Sequence, residues 1–197
     1  HAAGELAGDP FGEAVVAPRW QGEVETLHTF YARDCLPVVE PILRRGGGRI
    51  IDFYGRDFGA HYERSEVMAT SGGKQAIFNA IVSLIDPGDE VLMARPYWVT
   101  FPEIVVFAGG TPSFINTDET GFLLTTEMIE RAITPRTKAI ILNSPCNPSG
   151  RVISPAEFQR IMELLTSRGI YAVSDECYLR FVYPPGQVFS AASLPAD

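Results

Sequence analysis

From about Ser65 onward, short apolar runs alternate with segments of helical periodicity, and this alternation limits the possible folds more than any other feature. The apolar runs are Glu90 to Ala94, Pro112 to Asn116, Lys138 to Leu142 and Ile170 to Ser174. Helical spacing predicts helices at Lys74 to Ile85, Val99 to Ala108, Thr125 to Ile133 and Ser154 to about Ser167. Short apolar strands joined by helices indicate βαβ crossovers. The sequence therefore predicts an α/β fold, a doubly wound, mostly parallel sheet with helices on both faces.

The first part of the chain has a different character. It is irregular up to about residue 54, with loose helical spacing from Glu23 to Arg45 that the glycines Gly46 to Gly48 would end. We interpret residues 1–54 as an arm or linker region and residues 55–197 as the large domain. The chain begins at His1 and no terminal helix closes the fold, so we expect a fragment of a longer protein.

Composition argues against several classes of partner. The chain has 24 acidic and 16 basic side chains, and its net charge of −8 argues against a nucleic-acid backbone or an anionic membrane surface. An apolar leader and an apolar run of about 18 residues are both absent, so neither secretion nor a membrane span is expected. The 3 cysteines form no CxxC pair and have no histidine at zinc-finger spacing. We expect no metal site and, by default, a cytoplasmic location.

In parallel sheets ligands bind beyond the carboxyl ends of the strands and at helix N-termini, so residues at these places are candidates for function. Gly72, Gly73 and Lys74 stand where a helix begins. Free backbone N–H groups, the helix dipole and a lysine together suit a phosphate group. The alternative is a plain turn that caps a helix, and the spacing is not that of a Walker A loop.

Three further stretches each follow an apolar strand. Asn143 to Gly150 contains Asn147 in a turn rich in proline, Ser174 to Tyr178 contains Asp175, and Arg95 to Thr100 contains Trp98. Each also has a purely structural interpretation. These are a tight strand-to-helix connection for the asparagine loop, a helix N-cap for Asp175, and core aromatic packing for Trp98.

The four stretches together, in this order and spacing, resemble class I aminotransferases. These are fold-type I pyridoxal-phosphate enzymes, and the likeness is to the branch near the bacterial aspartate aminotransferases. The resemblance rests on Ser-Gly-Gly-Lys-Gln-Ala, Pro-Tyr-Trp, Asn-Ser-Pro-x-Asn-Pro-x-Gly and Ser-Asp-Glu-x-Tyr. It covers roughly Gly55 to Pro195 and implies that residues 55–197 are the cofactor-binding large domain of this fold, incomplete on its C-terminal side.

The resemblance implies that the chain binds pyridoxal 5'-phosphate and assigns residues to two parts of that cofactor. Gly72, Gly73 and Lys74 would bind its phosphate at the helix N-terminus. Trp98 would stack on the face of its pyridine ring. The phosphate assignment agrees with what the helix start indicates on its own.

The resemblance also assigns the residues that would tune the ring and act in catalysis. Asn147 would donate a hydrogen bond to the phenolic oxygen, with Tyr178 as its second partner. Asp175 would lie at the pyridine nitrogen and keep it protonated, so that the ring can accept electrons. Asp175 and Tyr178 are thus the predicted catalytic residues.

The implied reaction moves an amino group from an amino acid, aspartate by likeness, to a 2-oxo acid, in a homodimer. In the family, the lysine that binds the cofactor covalently follows Asp-x-x-Tyr by several dozen residues, and this chain has no lysine at such a position. The only lysines of this chain are Lys74 and Lys138, and neither fits. This polypeptide alone is therefore expected to be inactive.

The substrate-binding arginine of the family is also missing, and its N-terminal motifs are not recognisable before Tyr54. The alternatives are a fold-type I lyase, a non-catalytic cofactor-binding or regulatory module, and a plain doubly wound nucleotide or phosphate binder.

Overall fold

The computed structural model describes residues 66–194 continuously, together with residues 19–20, 23–24, 59 and 62. The chain divides into two compact units, residues 1–74 and 75–197. In the first unit, β1 (Arg19–Trp20) pairs antiparallel with β2 (Glu23–Val24). The predicted helix from Glu23 to Arg45 is wrong at its start, because the backbone of Glu23 and Val24 pairs with β1. The rest of that segment and the glycine triplet lie outside the described residues.

The second unit contains a sheet of 4 parallel strands in the order β4-β3-β5-β6. The strands are β3 (Glu90–Arg95), β4 (Thr111–Asn116), β5 (Thr137–Asn143) and β6 (Tyr171–Asp175). The helices are α1 (Gly72–Leu84), α2 (Thr100–Phe107), α3 (Thr126–Ala132) and α4 (Pro155–Arg168). All four strands and all four helices predicted after Ser65 are present. No helix in residues 66–194 is long and apolar enough to cross a bilayer.

Two apolar cores lie on opposite faces of this sheet. Successive strand side chains point to opposite faces, so Val91 and Met93 join one core whereas Leu92 joins the other. The first core is completed by residues of α1 and α2, and the second by residues of α3 and α4. The prediction of helices on both faces is therefore confirmed.

Helix α1 begins two residues earlier than the apolar spacing predicts. Gly72 starts it with φ of +79°, a conformation that glycine adopts readily. Gly72 and Gly73 therefore belong to the first turn of the helix and do not precede it.

Helix α4 begins as predicted, with Pro155 in its first position. The Ser154 hydroxyl accepts the N–H of Glu157 at 3.2 Å. The Glu157 carboxylate does not complete a capping box with Ser154; it accepts the N–H and hydroxyl of Thr126 at 2.6 and 2.7 Å. Glu157 therefore joins the starts of α4 and α3, which lie on the same face of the sheet.

Glu90 is a buried acid at the first position of β3, where it is 5% exposed. The Thr134 hydroxyl donates to its carboxylate at 2.6 Å, and the Arg136 guanidinium pairs with the other oxygen. The hydrogen bond from Thr134 lowers the pKa of Glu90 most, Arg136 lowers it further, and burial opposes both effects. The ionised form of Glu90 is therefore stabilised by the fold.

Replacing Glu90 with glutamine should lower the free energy of unfolding by about 1 kcal/mol at neutral pH, since charge-assisted hydrogen bonds are lost and the exposed Arg136 adds little. The lowered pKa means that this contribution is fully present above the ordinary value of 4.5 and is lost as the pH falls below it. Urea unfolding at pH 7, 5 and 3 measures the difference between E90Q and the unmodified chain. A difference that stays constant across this range, as expected for the exposed control E163Q, would contradict the assignment.

Candidate functional site

The candidate site lies at the carboxyl edge of the sheet, where the chain reverses its direction of winding. From β3 the chain goes to β4 on one side, and it then returns past β3 to β5 on the other side. The carboxyl ends of β3 and β5 therefore flank a topological switch point, where open α/β sheets bind ligands. A cavity opens there, lined by Arg95 and Tyr97 after β3 and by Asn143, Cys146 and Arg151 after β5. None of the predicted site residues is among those that line this cavity.

Asn143 brings two of the predicted residues together. It pairs in register with Asp175, and its side-chain amide donates to the carbonyl oxygen of Asp175 at 3.2 Å. The side-chain oxygen of Asn143 accepts the backbone N–H of Asn147 at 2.7 Å. Asn147 and Asp175 are thus held at the same edge of the sheet by one side chain. Asn143 had no role of its own in the sequence analysis, and the signal for it is a polar residue that directly follows a continuous apolar strand.

Asp175 ends β6 and is 8% exposed. Its carboxylate accepts the backbone N–H of Cys177 at 3.1 Å, so it holds the turn that follows the strand. The alternative of a helix N-cap is wrong, because a 3-10 turn at Leu179–Phe181 follows and not an α-helix. Within the described part of the chain, no ion pair includes Asp175.

Cys177 lies beside this carboxylate and is not activated by it. Burial and, after it, the hydrogen bond and charge of the Asp175 carboxylate together raise the pKa of the Cys177 thiol to about 12. A thiol with this pKa stays protonated at physiological pH and is a poor nucleophile. Cys177 is therefore not activated as a nucleophile.

Trp98 and Tyr178 follow β3 and β6 and stand on separate turns. The Trp98 ring is partly buried and packs edge-on against Phe101, with centroids 5.4 Å apart. Tyr178 is 42% exposed and its ring contacts Phe181 edge-on at 6.2 Å. The interpretation of Trp98 as a core aromatic is thus partly correct, since one edge of the ring is used in packing.

Gly72, Gly73 and Lys74 form the first turn of α1. A side chain added at Gly72 would meet no atom within 4 Å, so open space adjoins this turn. The first turn contains no acidic residue, and the Gly72 N–H donates to the Thr70 carbonyl oxygen at 2.8 Å. Binding of an anionic group at this turn would therefore use the N–H groups that follow Gly72.

Sequence reasoning missed Glu176, which neighbours Asp175 and accepts hydrogen bonds from Ser174, Ser190 and Ala191. Two of these donors lie more than a dozen residues along the chain, so local patterns give no signal for them.

Comparison with known proteins agrees with this fold. The family model for aminotransferase class I and II matches residues 47–196. A probable aspartate/prephenate aminotransferase of Thermus aquaticus is 42% identical over 149 residues, which is 75% of this chain and 39% of the relative. The solved structure of aspartate aminotransferase from Thermus thermophilus with maleate superposes with a TM-score of 0.70 at 36% identity, covering 80% of this chain and 44% of that one.

A solved aromatic aminotransferase from Pyrococcus horikoshii has the same fold, with a TM-score of 0.72 at 27% identity over 83% of this chain and 48% of that one. The chain spans less than two fifths of the length of the curated relatives it matches. The family match covers about three quarters of the sequence, including all four stretches singled out above. The chain therefore belongs to the class I and II aminotransferase family.

Proposed function

We propose that the chain is the cofactor-binding part of a pyridoxal-phosphate-dependent aminotransferase. The reaction is transfer of an amino group from an amino acid, aspartate by likeness, to a 2-oxo acid. The observation that carries this proposal is the link through Asn143, whose side chain bonds the backbone N–H of Asn147 and the backbone carbonyl oxygen of the buried Asp175. The names of the relatives, aspartate/prephenate and aspartate aminotransferase, support the reaction and the donor.

The residues at this edge fit a ring that carries both a protonated nitrogen and a phenolic oxygen. The Asp175 carboxylate accepts one backbone hydrogen bond and no cation from the described residues, so it retains capacity for another donor. The half-buried side-chain amide of Asn147 donates to no other described residue. An acceptor and a donor are therefore both available at the same edge of the sheet.

Pyridoxal phosphate, when bound, supplies an electron sink for negative charge that develops at the α-carbon of an amino acid. Asp175 would hold a proton at the ring nitrogen, since its negative charge favours the protonated form. Asn147 and Tyr178 would donate to the phenolic oxygen, and Trp98 would stack on the ring. Gly72, Gly73 and Lys74 in the first turn of α1 would bind the phosphate.

Lys138 is poorly placed to bind the cofactor covalently. It is the second residue of β5, with its amine 5.7 Å from the Tyr171 ring centre, whereas Asn143 at the other end of β5 pairs with Asp175. The strand rise puts about 16 Å between these two ends. We therefore propose that the 197-residue polypeptide binds the cofactor reversibly and does not turn over.

Equilibrium dialysis with pyridoxal 5'-phosphate tests this proposal. We expect reversible binding that N147A weakens about fivefold, because one hydrogen bond is lost. The control K138Q should bind as the unmodified chain does. Borohydride treatment and peptide mass spectrometry should find no pyridoxyl group on lysine. A pyridoxyl group fixed to Lys74 or Lys138 would show that one of these lysines binds the cofactor covalently, against the proposal. An absence of binding would overturn the proposed cofactor.

A non-catalytic cofactor-binding or regulatory module, in which Asp175 and Asn147 would bind the cofactor without turnover, is the second candidate. Expression of the complete open reading frame that contains this sequence separates the two. Amino transfer from aspartate to 2-oxoglutarate supports the aminotransferase, elimination products would indicate a fold-type I lyase, and binding without turnover would support the module. The same preparation tests the proposed homodimer by sedimentation, and cell fractionation tests the proposed cytoplasmic location.

A further inference from the structure

Glu176 has a carboxylate that accepts three hydrogen bonds from two separate stretches of the chain. The Ser174 hydroxyl and the Ala191 N–H donate to one oxygen at 2.9 and 2.7 Å. The Ser190 hydroxyl donates to the other oxygen at 2.7 Å. Ser174 belongs to β6, whereas Ser190 and Ala191 lie where the chain returns to the sheet. One side chain therefore fastens the returning chain to the end of β6.

Residues 177–189, which we name the Tyr178 loop, lie between these two stretches. Leu179, which is 7% exposed, and the Phe189 ring, which packs 5.4 Å from that of Phe158, also anchor the loop, and Arg180 has an interaction of its own. Tyr183, at the centre of the loop, is 76% exposed. Glu176 joins the two ends of the loop and so contributes to its position.

The surroundings of Glu176 suit a carboxylate and no other group. Ser190 is 1% exposed, and its hydroxyl also accepts the N–H of Ala192 at 3.2 Å, so its proton is available for Glu176. No ion pair in residues 66–194 includes Glu176, and its charge is satisfied by these three donors. A glutamine would present an amide donor where one of these donors now points. Glutamine should therefore keep only part of the contact.

Glu176 also lies between Asp175 and Cys177, whose carboxylate and backbone N–H form the turn after β6. The peptide that follows it carries the Cys177 N–H, which donates to the Asp175 carboxylate at 3.1 Å. A shift of the backbone at Glu176 would move this donor and, with it, the orientation of the carboxylate. Tyr178 is only two residues away on the same turn.

We propose that Glu176 is a positioning residue of the candidate site: by closing the Tyr178 loop it fixes the Tyr178 ring and the Asp175 carboxylate. The roles of Tyr178 and Asp175 toward a cofactor rest on the proposed function. Closure of the loop rests only on the three hydrogen bonds. The two parts can therefore be measured separately.

Hydrogen exchange on the complete 197-residue chain tests the closure, and pyridoxal 5'-phosphate affinity tests the positioning. In E176A we expect the Ala191 and Cys177 amides to exchange at least about tenfold faster and the cofactor affinity to fall about tenfold, since hydrogen bonds to a charged group are lost. E176Q should lie between E176A and the unmodified chain. E163A is the matched control, because the Glu163 carboxylate is exposed on α4 and accepts one bond from Gln159.

Unchanged exchange at Ala191 in E176A would overturn the proposal. Faster exchange with unchanged cofactor affinity would show that Glu176 closes the loop without positioning the site, which would also overturn it. If the unmodified chain does not bind the cofactor, the proposed function fails and the positioning role with it, while the exchange rates still decide on the closure. Circular dichroism of each variant separates loss of the loop from loss of the fold.

Discussion

On the proposed function, replacement of Asp175 by asparagine is expected to slow amino transfer about a thousandfold in the product of the complete open reading frame. The reason is electrostatic, since the substitution removes the negative charge that would hold a proton at the ring nitrogen of the cofactor. Asparagine retains the oxygen that accepts the Cys177 N–H, so the turn after β6 should persist. The free energy of unfolding should therefore change by less than about 1 kcal/mol.

Steady-state rates with aspartate and 2-oxoglutarate measure the first effect, and urea unfolding measures the second. E119Q is the matched control, because Glu119 is an exposed acid in the short 3-10 turn Asp118–Thr120 and should leave both quantities unchanged. If D175N retained a tenth or more of the turnover, the charge of Asp175 would have no essential part in the reaction. A loss of stability with little loss of turnover would make Asp175 a structural residue of the turn.

The fold was predictable because the strands are continuous apolar runs, which indicate a sheet that is buried on both faces. Val91, Leu92 and Met93 are consecutive apolar residues, and a short strand covered on both sides can bury all three. The ends of the elements were harder, because apolar pattern alone placed them. Strand β5 runs one residue past its apolar stretch to Asn143, since that polar residue pairs with Asp175 on the neighbouring strand. Helix α1 begins two residues earlier than predicted, because Gly72 and Gly73 have no side chain that could contribute to an apolar pattern.

The sequence predicted which residues belong to the candidate site, but it did not predict the contacts that hold these residues together. Asn147 and Asp175 were singled out because they follow apolar strands, and strand ends meet at one edge of a parallel sheet. The contacts that hold them were hidden, because the side chain of Asn143 bonds a residue 32 positions away and Glu176 one 15 positions away. The strand order was hidden too, and without it the cavity between β3 and β5 cannot be located.

Replacement of Phe101 by alanine is expected to cost about 3–5 kcal/mol of unfolding free energy, a large part of the roughly 5–15 kcal/mol of a typical domain. Phe101 is 2% exposed and belongs to the core formed by α1, α2 and the sheet. Its removal leaves a cavity and also takes away the edge-on contact with Trp98. Urea unfolding measures the loss, and the Trp98 emission should shift to longer wavelength as its environment becomes wetter.

Phe107 at the end of the same helix is the matched control. It is 72% exposed and contacts the Phe78 ring at 5.3 Å, so F107A should cost less than about 1 kcal/mol. The two substitutions delete the same side chain from one helix, so their difference isolates burial from helix propensity and from the chemistry of the residue. Equal losses in F101A and F107A would contradict the described packing, because the outer side of α2 would then have to be covered in solution.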